Sequence, residues 1–190
     1  MVLDKSRLVI AIGGPAGSGK TTVARLLAQR LGLRHVSVGQ FFRRIAQERG
    51  LSLEELSRIA QEDPSIDRFL DDMAAEEARK GGVVIDGHAA PWLLKGLAHL
   101  RVAVVASDDV RYRRLAERDG KPLEHAIRET RAREEAEKER YRRYYGIDVD
   151  DFTDFDLVIN TESFGPEDVV EIVVRALELK LKNARAATSS

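Results

Sequence analysis

Leu8-Val9-Ile10-Ala11-Ile12-Gly13-Gly14-Pro15-Ala16-Gly17-Ser18-Gly19-Lys20-Thr21-Thr22 begins as a continuous aliphatic run and turns abruptly into glycines. An aliphatic run without polar alternation is the pattern of a strand buried on both faces, and so of a parallel sheet covered by helices. Gly14 to Thr21 matches G-x-x-x-x-G-K-[ST] in full. From Lys20, the apolar positions Val23, Ala24, Leu26, Leu27, Ala28 and Leu31 recur at helical spacing until Gly32 stops them. Strand, glycine loop and helix in that order give the motif its mechanics. The glycines let successive N–H groups face inward, and the helix N-terminus adds partial positive charge at the same point. A polyphosphate is the expected guest, cradled by Gly14, Pro15, Ala16, Gly17, Ser18 and Gly19. Lys20 reaches its β- and γ-phosphates, Thr21 offers a hydroxyl to Mg²⁺, and Thr22 extends the cradle to the α-phosphate.

Working outward, short strands are expected at His35 to Val38, Val83 to Ile85, Val102 to Ala106 and Leu157 to Ile159. Between the first two lie three helical stretches, Phe41 to Arg49, Leu53 to Glu62 and Ser65 to Lys80. Ser52 and Asp63 are placed to cap the second and third of these. A short segment spans Trp92 to Ala98, a helix from Asp108 or Asp109 reaches Arg118, a highly charged helix runs from Leu123 to Tyr145, and Pro166 to Lys182 closes the chain. Ala184 to Ser190 is expected to fray. Alternating strands and helices give an α/β fold with a parallel sheet.

The chain has 190 residues, the size of one ordinary domain. No apolar run approaches the roughly 20 residues of a membrane span, and the charged Met1 to Arg7 start has no secretory pattern. A cytoplasmic protein is expected. Zero cysteines exclude disulfides and thiolate chemistry. With 31 basic and 32 acidic side chains the net charge is -1, so no overall field gathers nucleic acid or anionic lipid.

Asp86 ends the third predicted strand, on the sheet edge that carries the glycine loop. It either holds a Mg²⁺-bound water or makes an ordinary Asp-Gly turn. A switch GTPase needs an Asn-Lys-x-Asp clamp, whereas the last strand is followed by Asn160-Thr161-Glu162-Ser163. What remains is a small kinase moving a phosphoryl group from ATP to a small acceptor, which needs cations around the transferring group. Arginine outnumbers lysine 23 to 8, and ten arginines fall between Arg111 and Arg143. Arg114 and Arg118 share a helix face, and Arg131, Arg133 and Arg140 lie on the next helix among glutamates, as suits a mobile lid. The alternative is a solvated helix laced with Arg–Glu pairs involving Glu129, Glu134, Glu135, Glu137 and Glu139.

The chain resembles the archaeal-type cytidylate kinases, a branch of the P-loop nucleoside monophosphate kinases. The likeness rests on Gly14 to Thr22, Ser37-Val38-Gly39-Gln40-Phe41-Phe42-Arg43, Glu62-Asp63-Pro64-Ser65-Ile66-Asp67 and Ile85-Asp86-Gly87-His88-Ala89-Ala90-Pro91-Trp92. It continues through Arg140-Tyr141, Tyr145-Gly146-Ile147-Asp148 and Asp156 to Thr161. The resemblance implies a P-loop fold with five parallel strands, a helical monophosphate-binding insertion at about 40–81 and a lid at about 120–146, all within a single domain of residues 1–183. It implies ATP as donor, CMP and dCMP as acceptors, Mg²⁺, and a monomer or weak dimer. Adenylate, uridylate and dephospho-coenzyme A kinases keep the same chemistry, and a non-catalytic ATP-binding module is the alternative of another class.

By the same likeness Arg43 grips the acceptor phosphate, with Ser37 and Asp86 beside it. Arg114, Arg118, Arg133 and Arg140 close over the donor and transferring phosphates, and Asp67 lies near the acceptor's base or sugar. Where many relatives carry an arginine after the third strand, this chain has His88, which either donates to the acceptor phosphate or packs. His35, His99 and His125 have no ligand partners in sequence, and no metal cluster is expected. Trp92 and the tyrosines 141, 144 and 145 either stack on a base or pack at helical spacing.

Overall fold

The structure, a computed structural model, describes residues 5–188, without the side chains at 185, 187 and 188; Met1 to Asp4 and the final Ser189 and Ser190 lie outside the described residues. After one 3-10 turn at Lys5–Arg7 come β1 (Val9–Gly13), α1 (Lys20–Leu31), β2 (Arg34–Ser37), α2 (Val38–Glu48), α3 (Leu53–Glu62), α4 (Ser65–Lys80) and β3 (Val83–Asp86). Then follow α5 (Ala90–Leu93), β4 (Leu100–Val105), α6 (Asp108–Asp119), α7 (Leu123–Tyr145), β5 (Leu157–Asn160) and α8 (Pro166–Thr188). The strands form one parallel sheet in the order β2-β3-β1-β4-β5.

β1 lies at the centre and is buried throughout, as its unbroken aliphatic run requires. Strand period two divides it between two cores. Ile10 and Ile12 join Val23 and Leu27 of α1 and Val173 and Leu177 of α8, while Val9 and Ala11 meet Ala74 and Ala78 of α4 and Leu94. Each fully buried Val, Ile or Leu there contributes about 1.5–3 kcal/mol. A third cluster, Ala46, Leu56, Ala60, Ile66 and Leu70, binds α2, α3 and α4 into the excursion between β2 and β3. Ser52 and Glu55 form a reciprocal capping box at α3, and Asp63 accepts the Ser65 N–H at 2.9 Å at the start of α4.

Several boundaries differ from the sequence expectation. β4 begins at Leu100 because Arg101 lies within the strand, its guanidinium held by the Asp154 carbonyl; its charge interrupts the apolar run. α2 follows β2 without a loop, since Val38 packs directly over Gly87. α8 remains helical to Thr188, through positions 184–188 where fraying is expected. Among the described residues no helix is long and apolar enough to cross a membrane.

Candidate active site

The loop between β1 and α1 is shaped by contacts only glycine permits. Gly14 has φ 134°, and a Cβ there lies 2.1 Å from the Val104 carbonyl oxygen; Gly17 has φ 78°, and its Cβ lies 2.5 Å from the Arg111 carbonyl oxygen. The loop's carbonyls are occupied one after another. Pro15 O accepts from Lys20 Nζ at 3.2 Å, Ala16 O from Arg111 Nη1 at 2.7 Å, and Ser18 O from Thr161 Oγ1 at 2.9 Å. In a trans peptide the next N–H points the opposite way, so the Gly17 N–H is turned away from the Arg111 guanidinium and the Gly19 N–H away from the Thr161 hydroxyl. Gly19 supplies no side-chain cap, which leaves the first-turn N–H groups of α1 open.

Beside this loop, parallel pairing sets Ser37 of β2 against Asp86 of β3. Asp86 is 1% exposed and takes three donors: Thr21 Oγ1 at 2.8 Å, Ser37 Oγ at 3.1 Å and His35 Nε2 at 2.7 Å. These bonds tie the end of β3 to the first turn of α1 and to β2. Burial pushes the Lys20 ammonium down to about 8, against the attraction of Asp86 and Glu137 and with the repulsion of Arg133 and Arg43.

A cavity of about 690 Å³ opens from the loop and is lined by Lys20, Arg43, Arg114, Arg118, Arg133 and Arg140, with Asp67, Asp86, His88 and Glu137 among them. Burial, then Arg118 and Arg133, pull the Arg43 guanidinium below its usual range, and among the described residues it makes no ion pair. Arg118 forks onto Asp119 at 2.7 and 2.8 Å. Arg114 donates to Thr161 Oγ1 and O at 2.9 and 3.1 Å and also lines a second hollow of about 420 Å³, between Gly19, Thr22 and Val23 and the stretch from Thr161 to Val169. His88 Nδ1 lies 2.8 Å from Glu137 Oε2. Burial opposes ionisation of Glu137, yet the His88 contact and the charges of His88, Arg133 and Arg140 outweigh it and hold the carboxyl at about 2.

Arg140 lines this cavity with the other arginines but is itself paired. Its Nε donates to Asp67 Oδ2 at 2.7 Å and its Nη1 to Ser57 Oγ at 3.1 Å, all three residues being buried. The charged helix is tied to the excursion at its end. Besides Arg140, Tyr144 Oη donates to Gln61 O at 2.9 Å and Tyr145 Oη to Asp71 at 2.5 Å, so the end of α7 is fastened to the excursion. Trp92 packs edge-on against Phe155 with ring centroids 4.6 Å apart.

Sequence reasoning missed His35, Ser57, Arg111 and Glu134. The alternation of His35 and Ser37 along one strand, which puts both on the same face and lets both reach Asp86, carried a signal for the first. For Glu134 the helical spacing of charges pointed to solvent, Arg111 was one arginine of a cluster, and only the tertiary packing of α6 and α7 buries the two together.

Residues 9–163 match the cytidylate kinase-like family. A cytidylate kinase of Staphylothermus marinus is 49% identical over 175 residues, covering 92% of this chain and 99% of the relative. One of Archaeoglobus fulgidus is 47% identical over 172 residues, covering 90% and 95%. Among solved structures, shikimate kinase from Bacteroides thetaiotaomicron superposes with a TM-score of 0.61 at 21% identity, covering 90% of this chain and 98% of that one. Shikimate kinase from Acinetobacter baumannii gives 0.59 at 20% identity, covering 93% and 94%. These likenesses carry the fold, a P-loop kinase sheet. The family follows from the sequence relatives and the matched residues, and the chain belongs to the cytidylate kinase-like family.

Proposed function

We propose that this chain transfers the γ-phosphoryl group of ATP to CMP, and to dCMP, in the cytoplasm, with Mg²⁺. The observation that carries the reading is the larger cavity itself, walled by the glycine loop, Lys20 and Arg43 on one side and by the Arg140–Asp67 pair on another. A cytosine edge presents an amine donor beside ring acceptors, so a carboxylate and a guanidinium held side by side complement it. Uracil has those roles reversed at the amine position. The names of the archaeal relatives agree with this acceptor.

In this reading the excursion at 40–81 holds the monophosphate and residues 120–146 cover the phosphates. Arg43 faces the acceptor phosphate, with His88 oriented behind it by Glu137. Lys20, Arg114, Arg118 and Arg133 spread the charge that builds on the transferring group, Arg118 exchanging Asp119 for phosphate. An acceptor oxygen attacks the γ-phosphorus, ADP leaves, and no enzyme-bound intermediate is needed. For the metal, Thr21 and Asp86 offer two oxygens 2.8 Å apart, and among the described residues there is no cluster of three or more side chains that could hold an ion. That sparse oxygen set fits Mg²⁺, which keeps waters and phosphate oxygens as most of its ligands. When bound, the ion supplies neutralisation of developing phosphate charge.

The deciding experiment is a coupled assay with CMP, dCMP, UMP, AMP and dephospho-coenzyme A at equal concentration. CMP gives the highest kcat/KM; an equal or better rate with AMP removes the cytidylate assignment, and ATP binding without any transfer identifies a binding module instead. Lys20 adds a second check. Its ammonium binds phosphate only when protonated, so ATP affinity falls as pH rises through about 8. Phosphate raises the lysine's affinity for its proton, so ATP binding at pH 8 takes up protons, seen as a buffer-dependent calorimetric heat that vanishes in Lys20→Met.

A further inference from the structure

We infer that Arg111 and Glu134 are positioning residues that fix the peptide orientation of the phosphate loop on both sides of Ala16, an inference that rests on the loop being the cradle of the donor nucleotide. Glu134, from α7, accepts the Ala16 N–H on Oε1 at 3.1 Å, and Arg111, from α6, donates Nη1 to the Ala16 carbonyl at 2.7 Å. The two are joined by bonds of 2.6 and 3.2 Å, and Arg111 Nη2 also donates to Asp108 at 2.7 Å. The guanidinium lies over the Tyr112 ring, 5.2 Å from its centroid. Arg111 is 4% exposed and Glu134 9%.

Peptide planarity converts these two contacts into two directions. With the Ala16 N–H turned to Glu134, the Pro15 carbonyl points the other way, where it accepts from Lys20 Nζ at 3.2 Å and from the Ser18 N–H at 3.3 Å. With the Ala16 carbonyl turned to Arg111, the Gly17 N–H faces away from α6, on the side of the cavity that Gly17 lines. A glycine tolerates either sign of φ, so the plane between Ala16 and Gly17 turns over at little cost unless something holds it. Turned over, it presents a carbonyl oxygen to phosphate. Burying an ion pair of this kind gains little stability, because desolvation offsets the attraction; what it supplies here is direction. Arg111 also cancels the carboxylate's charge, so Glu134 adds no net repulsion beside a polyphosphate.

The test is calorimetric binding of a non-hydrolysable ATP analogue with Mg²⁺ and no acceptor, alongside kcat and KM for ATP and CMP, in Glu134→Ala, Glu134→Gln and Arg111→Lys. Loss of a hydrogen bond to a charged group predicts donor binding weakened about 10- to 100-fold in Glu134→Ala, with KM for CMP within about twofold of the parent. Glu134→Gln keeps an acceptor for the Ala16 N–H and recovers part of the loss. Arg111→Lys, with no fork to span carbonyl and carboxylate, falls with Glu134→Ala. In the ligand-free protein the Gly17 amide gives one sharp nuclear magnetic resonance signal, which broadens or doubles in the variants. Should Glu134→Ala fail to fold, the two conservative variants decide. Variants that melt earlier yet bind the analogue as tightly as the parent, with an unchanged Gly17 signal, overturn the inference. A parent chain that binds the analogue but phosphorylates no monophosphate overturns the proposed reaction instead and leaves the loop geometry standing.

Discussion

Lys20→Ala is expected to lower kcat about 10²- to 10³-fold, the loss seen when one preorganised charge donor is removed from a transition state, while the chain melts at or slightly above the parent temperature. The two halves have one cause. In the ligand-free fold burial pushes the ammonium down to about 8, so its charge is held at a cost to the folded state, and deleting it relieves that cost. With phosphate present the same charge is what the site lacks. Single-turnover kinetics with saturating ATP and CMP, and a melting curve at pH 7, check both. A variant with near-normal kcat removes Lys20 from the chemistry; one that unfolds shows instead that Pro15 and Lys20 hold the loop together.

Asp67 carries the second large effect, and here stability and selectivity separate. Asp67→Ala takes the paired carboxylate from Arg140, buried at 3% exposure, and leaves it Ser57 as hydrogen-bond partner and the more distant charge of Glu137. Removing one partner of such a pair costs about 3–5 kcal/mol, because an uncompensated charge remains, and urea unfolding reads that directly. Asp67→Asn keeps the shape and one acceptor oxygen but adds an N–H donor where cytosine also donates. The ratio of kcat/KM for CMP over UMP is expected to fall about 10- to 100-fold, the worth of one hydrogen bond to a charged group. An unchanged ratio in Asp67→Asn, with normal melting, moves base reading away from this pair.

Much of the fold was legible because its signals are local. The aliphatic run into Gly13, the spacing from Lys20 to Leu31, the Ser52 and Asp63 caps, and the glycines at 32, 81 and 146 mark element ends by chain geometry alone, and α1, α3, α4 and α7 begin and end where those signals stand. Arg101 misled because a charge whose stem lies in a strand and whose head reaches a carbonyl interrupts the pattern that defines the strand. Around the glycine loop, the position of Asp86 beside it was legible since motif and strand end fix the two together. The fate of each arginine was not. Arg114, Arg118, Arg133 and Arg140 look alike along the chain, and only the approach of α3, α4 and β5 commits Arg140 to Asp67, Arg114 to Thr161, and leaves Arg43 without an ion pair among the described residues.

The way α7 is fastened has one more consequence. It grips the loop through Glu134 and the excursion through Arg140, and the helix between carries neither glycine nor proline. The register of those grips is therefore a matter of helical phase. One residue added between them swings the guanidinium by about 100° around the axis and shifts it about 1.5 Å. The same residue added after Gly146 disturbs neither grip. Spacing within that rod is thus as much a part of the enzyme's specification as the side chains it displays.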